Sequence, residues 1–111
     1  MTPYISPGVK TVDPDFIRKV VCEQTGVSER DLYHKCRLEE VVYTRYLIYY
    51  FLHLVNPKYD EPGHLTLNKM GAIYFQDHTT VVHGIKRINN EMYDSRIKND
   101  VETIKKKLFI K

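Results

Sequence analysis

Apolar residues recur at helical spacing along most of the chain. Val81, Ile85, Ile88 and Met92 step by four, three and four, and Ile97, Val101, Ile104 and Leu108 repeat those steps. Such spacing lines one face of an α-helix, so both segments predict amphipathic helices. Asp77 is placed to cap the first. The second follows Tyr93-Asp94-Ser95 and ends in Lys105, Lys106 and Lys107, where cations offset the helix dipole.

Upstream, Asp13-Pro14 opens a helix, because a carboxylate caps free amides and proline fits the first turn, where no N–H is needed. Phe16, Ile17, Val20 and Val21 share its apolar face and Gly26 closes it. Ser28 followed by Asp31 has the form of a capping box with a shorter acid, starting a brief helix through Leu32 to about Lys35. From about Leu38 to Val55 the chain is almost continuously apolar or tyrosine, which predicts a central helix contacted on several sides. Asn56-Pro57 stops it, and the stretch to His64, with Pro57, Pro62 and Gly63, reads as a loop. Thr66 then caps a helix carrying Leu67, Met70, Ile73 and Tyr74, in which Gly71 permits the close approach of a neighbouring helix.

Six helices and no strand pattern make an all-α domain. Residues 1–13, with Pro3, Pro7 and Gly8, read as an extended arm, and residues 14–111 as one helix-turn-helix domain. A length of 111 residues suits a single core, and 42% hydrophobic with 28% charged residues excludes a disordered or membrane-embedded chain. The longest apolar stretch, Val41 to Val55, contains Arg45 and His53 and falls short of the roughly 20 residues that cross a bilayer. The N-terminus lacks the basic region and apolar run of a secretory signal, so the expected location is the cytoplasm. Cys22 and Cys36, with no Cys-x-x-Cys pattern, read as reduced thiols.

Charge sharpens the picture. Residues 1–76 carry nine basic and nine acidic side chains, and residues 77–111 carry eight against five, so the whole net charge of +3 lies in the last third. On the helix after Asp77, at 100° per residue, Thr79, Thr80, His83, Lys86, Arg87 and Asn90 fall opposite the apolar stripe, while His78 can project off the end. Small threonines let a helix end approach base edges, and their methyls and the ring of His78 can pack on thymine methyls. Asp77 can accept from a cytosine amino group, or serve only as a cap; Lys86 and Arg87 stand where phosphates flank a helix in the major groove, or only solubilise it. The helix from Thr66 to Tyr74, two residues away, completes a helix-turn-helix.

The run Asp77-His78-Thr79-Thr80-Val81-Val82-His83 resembles the signature of the C-terminal DNA-binding domain of the bacterial replication initiator DnaA, where Asp-His-Thr-Thr-Val begins the recognition helix. Ile17 through Val20, Gly26-Val27, Asp31-Leu32 and Lys35 resemble the family's opening helices. Leu67, Met70 and Gly71 fit its Leu-Pro-x-x-Ile-Gly pattern, and Ile85, Ile88, Asp100 and Val101 continue the likeness to about residue 108. The resemblance implies a Trp-repressor-like helical fold and sequence-specific binding of duplex DNA at a DnaA-box-like site. It implies that Asp77, His78, Thr79 and Thr80 read the major groove beside Leu67 and Asn68 of the preceding helix. It further implies that Arg37 enters the adjacent minor groove and that Arg45 grips the backbone, where a guanidinium can hold a phosphate bidentately.

The departures are specific. A dense run of arginines is replaced by Lys35-Cys36-Arg37-Leu38-Glu39-Glu40, the glycine pair and arginine before Asp-His become Phe75-Gln76, one residue shorter, and the Asn56–His64 loop is longer. Two acids near the expected phosphates predict weaker binding than is usual for the family. These residues contain no Gly-x-x-x-x-Gly-Lys-Ser/Thr, so the expectation is a stand-alone binding domain without ATP, acting in replication initiation control or transcription regulation. The expected partners are double-stranded DNA and replication, phage or mobile-element proteins, with no membrane, cofactor or metal. His78 and His83 are five apart, off the spacing that aligns two zinc ligands, and no nucleophile and base are set together, so no enzyme is expected. The alternative is a protein-interaction module that keeps the fold without DNA affinity, docking through Tyr43, Tyr46 and the long loop.

Overall fold

A computed structural model of the protein describes residues 13–34, 38–61 and 63–108. Five α-helices and one short 3-10 helix run in the order α1 (Pro14–Thr25), 3-10 helix (Glu29–Tyr33), α2 (Glu39–Leu54), α3 (Leu67–Ile73), α4 (His78–Asn90) and α5 (Ser95–Lys107), with no strand among the described residues. The all-α expectation holds. The second of the six expected helices is a single 3-10 turn, because Ser28 caps only Arg30 N–H and the backbone is extended again at His34. Residues 1–12 of the expected arm lie outside the described residues, as do Lys35, Cys36 and Arg37.

Helix starts follow local chemistry. Asp13 accepts from Asp15 N–H at 3.0 Å, Thr66 from Lys69 N–H at 3.1 Å, and Asp94 from Arg96 and Ile97 N–H at 2.9 and 3.3 Å. Each acceptor satisfies amides that the first turn leaves without intrahelical partners.

The core forms around α2, whose Val41, Leu47, Ile48, Tyr49, Phe51 and Leu52 are buried. Helix α1 contributes Ile17, Val20, Val21 and Cys22, and α5 contributes its whole predicted stripe. Each fully buried aliphatic side chain contributes about 1.5–3 kcal/mol, far above any surface pair in the molecule. Phe16 departs from expectation: it is exposed, and Cys22 occupies the inner face instead. Burial drives the Cys22 thiol up to about 11, which keeps it protonated and unreactive.

On α4 the buried line runs through Val81, Gly84 and Ile88, with Ile85 only partly covered; Met92, expected on this helix, lies past its end at Asn90 and is partly covered as well. Gly84 takes a buried place between Val81 and Ile88 because the ring of Tyr46 of α2 fills the space over it. A Cβ added there would lie 2.5 Å from Tyr46 Cδ1. Gly84→Ala should therefore force α2 and α4 apart and cost about 1–3 kcal/mol, read as a lower denaturation midpoint with the m-value unchanged. A variant as stable as the parent would show that this contact does not set the spacing.

Candidate nucleic-acid interface

The turn between α3 and α4 is fixed from two directions. Gly71 O accepts from Tyr74 N–H at 3.0 Å and Gln76 N–H at 2.9 Å, and a Cβ on Gly71 would meet Gln76 O at 2.4 Å. What needs Gly71 is thus the turn's own backbone and not the neighbouring helix expected there. From the other side, the Tyr49 hydroxyl of α2 donates to the Gln76 side-chain carbonyl. Burial raises the Tyr49 pKa well above the usual tyrosine value, so the hydroxyl stays a donor.

Asp77 then caps α4. Its Oδ1 accepts from Thr80 N–H at 2.9 Å, a bond that holds the carboxyl below the usual aspartate range. The cap occupies one carboxylate oxygen, so the cap reading of Asp77 is realised in the structure. His78 and Thr79 are exposed just beyond it and Thr80 is half-buried. His83, Lys86 and Asn90 continue the exposed face, and Asn68 is exposed at the start of α3. Leu67 beside it packs partly against the core. The helix end therefore offers two short side chains and an imidazole, flanked by cationic charge, which is a surface shaped for an anionic groove.

Arg45 departs from its expected place. It is 4% exposed, and its guanidinium donates to Leu32 O at 3.1 Å, Asp31 O at 3.4 Å and His34 O. Those carbonyls belong to the 3-10 helix and its end, and Asp31 O also accepts from His34 N–H at 3.3 Å. Arg45 organises that segment from within and does not stand ready for a phosphate.

The acids Glu39 and Glu40 are both paired. Glu39 Oε1 receives Arg87 Nη2 at 3.0 Å, and Arg87 Nε also lies 3.5 Å from Glu91, with the guanidinium 5.7 Å from the Tyr46 ring centre. Glu40 takes two hydrogen bonds from Arg96, at 2.8 and 2.6 Å, while Arg96 sits 4.7 Å over the Tyr43 ring. Sequence spacing missed these pairings, which link residues 48 and 56 apart. It also misplaced Tyr43 as a docking residue: Tyr43 is buried, and its hydroxyl donates to Asp100 at 2.7 Å. Asp100 is itself buried and also receives Gln24 Nε2 at 2.9 Å. Its place three residues after Ile97 and four before Ile104, on the apolar stripe, is the signal that marks it.

The family model described as "Bacterial dnaA protein helix-turn-helix" matches residues 14–88, α1 through most of α4. The chain belongs to the bacterial DnaA helix-turn-helix family. A chromosomal replication initiator protein DnaA from Leptospira biflexa is 33% identical over 98 residues, covering 86% of this chain and 20% of the relative. The DnaA of a Geobacter species is 31% identical over 111 residues, covering 98% and 23%, and that of a Thermoanaerobacter species 26% over 105 residues, covering 94% and 22%. The chain thus spans about a fifth of the length of the curated relatives it matches. Membership in this DnaA family supports DNA binding by the helix-turn-helix. Among the described residues, no helix is long and apolar enough to cross a membrane.

The buried position of Arg45 makes a prediction. Arg45→Met should lower stability by about 2–4 kcal/mol, because several carbonyls lose their donor at once. Thermal unfolding reads the loss. An unchanged Tm, with a flatter salt dependence of DNA binding, would return Arg45 to the phosphate backbone.

Proposed function

We propose that this chain binds double-stranded DNA sequence-specifically at a DnaA-box-like site and acts in the control of replication initiation or of transcription. The observation that carries the reading is the Asp77-capped end of α4, where His78 and Thr79 are exposed and Thr80 is half-buried. In this reading His78, Thr79 and Thr80 meet base edges in the major groove, Asp77 holds the helix end and offers its second oxygen to a cytosine amino group, and His83 lies along the groove wall. Asn68 and Lys86 meet phosphates, and Leu67 supports Asn68 by packing behind it. Arg37, outside the described residues, takes the adjacent minor groove. The role is one of binding and uses no reaction chemistry from these residues.

Arg87 joins the phosphate contacts by exchanging Glu39 for DNA. Exposed ion pairs contribute about 0–1 kcal/mol, so a phosphate can replace the carboxylate at little cost. The acids then weaken binding without blocking the groove.

Titrating a labelled duplex carrying a DnaA-box-like site, and a scrambled one, tests the proposal. Contact with about four to six phosphates gives a slope of log affinity against log salt near minus four to minus five, with tighter binding to the box. Negligible binding to both at low salt would instead favour the protein-interaction module. Thr80→Ala should cost about 1–3 kcal/mol on the preferred site and little on random DNA. Arg87→Ala should weaken both duplexes alike and flatten the slope by about one unit, whereas the opposite pattern for this pair would reverse the groove assignment.

Glu39→Gln separates the acid's two effects. Removing the carboxylate should free Arg87 and raise affinity about two- to fivefold on both duplexes. Unchanged or weaker binding would show that Glu39 does not compete with DNA.

A further inference from the structure

Phe75, in the turn between α3 and α4, is in a conformation its side chain does not favour. Its φ is 60°, in the left-handed region, and among the described residues it is the single non-glycine there. Glycine, asparagine and aspartate enter that region readily, whereas a bulky aromatic residue gains nothing local from it. Nor does burial compensate, since Phe75 is 78% exposed. A strained backbone and a large solvated ring therefore coincide at one position, the combination expected where a surface is held ready for a ligand.

The surroundings indicate which ligand. Phe75 lines an open hollow of about 250 Å3 with Tyr33, His34, Arg45, Tyr74 and Gln76. The hollow lies between the end of the 3-10 helix and the capped start of α4, so the ring stands beside the helix end that presents His78 and Thr79. Gln76 alone separates Phe75 from the Asp77 cap, and two residue steps reach at most about 7 Å, or roughly two base-pair rises. Among the described residues Phe75 is one of the most exposed large apolar side chains, and it stands two positions before the cap of α4.

We infer that Phe75 is an apolar contact to the duplex, its ring laid on a thymine methyl or a deoxyribose at the edge of the groove that α4 enters. The inference rests on the DNA-binding reading above. Holding the backbone left-handed turns the ring outward, away from the core that Tyr74 fills. The strain is thus the condition under which this short turn displays an aromatic residue to DNA.

Three variants, each measured for Tm and for affinity to the box duplex, test it. Phe75→Gly relieves the backbone and should raise Tm by about 3–5 °C, while affinity falls about tenfold with the salt slope unchanged, because no charge is removed. Phe75→Asn tolerates the same φ without loosening the chain as glycine does, and should lose affinity equally. Phe75→Leu keeps an apolar surface and should stay within about threefold of the parent. Parental affinity in the glycine or asparagine variant, or a leucine variant as weak as glycine, overturns the inference while leaving DNA binding by the parent intact. A parent that binds no duplex overturns the DNA-binding reading and this inference together. Repeating the parent and glycine measurements on a duplex with deoxyuridine for thymine identifies the contact: the tenfold gap closes if the ring meets a methyl and persists if it meets the sugar.

Discussion

The seating of Tyr46 on Gly84 is the contact from which the presented surface follows. Two helices approach this closely only where one lacks a side chain, and the aromatic ring turns the gap into packed apolar contact. With Val81 and Ile88 buried on either side of Gly84, the rotation of α4 about its axis is fixed. Thr79, His83, Lys86 and Asn90 then have no course but outward. The same ring receives Arg87 on its outer side and has His83 edge-on at 5.7 Å. One tyrosine of α2 thereby settles both which face of α4 is hidden and where its last-turn cation sits.

The start of α4 is set by a different device. Gly71 draws the turn in through its carbonyl, and Tyr49 holds Gln76 from the core side. Between those restraints Asp77 needs only to close the cap. The turn is short because Gly71 tolerates the carbonyl of Gln76 where any Cβ would collide. A helix end held in three ways loses little entropy on meeting a ligand, which favours affinity for a surface this small.

Much of this was legible in the sequence because it is local. Helix caps act over two or three residues and apolar stripes repeat every three or four, so Asp13, Thr66 and Asp77, and the stripe of α5, read correctly from spacing. The polar partners did not, since they depend on which helices meet. Arg45 looks like any cation on a tyrosine-rich helix until the 3-10 helix is folded over it. Glu39 and Glu40 look like repulsive neighbours of a phosphate until α4 and α5 each bring an arginine. Two features the spacing argument passed over had visible signals. Asp100 lies on the apolar stripe of α5, and Gly84 sits three residues after Val81 and four before Ile88, where a missing side chain invites a neighbour's ring.

The two arginine clusters share a plan and differ in closure. Each joins an acid from the first turn of α2 to an arginine stacked on a tyrosine of the same helix, Glu39 with Arg87 and Tyr46, and Glu40 with Arg96 and Tyr43. Arg96 meets Glu40 through both nitrogens of the fork and has Asp100 at 3.7 Å. Asp100 in turn binds Tyr43 and Gln24, so that cluster ties α1, α2 and α5 together, and releasing Arg96 would disturb a buried carboxylate. Arg87 donates through a single nitrogen to Glu39 and touches Glu91 at longer range. Both of those acids reach solvent, unlike Asp100. Of the two, only Arg87 can change partner without loosening the core, and it lies on α4, the helix proposed to enter the groove.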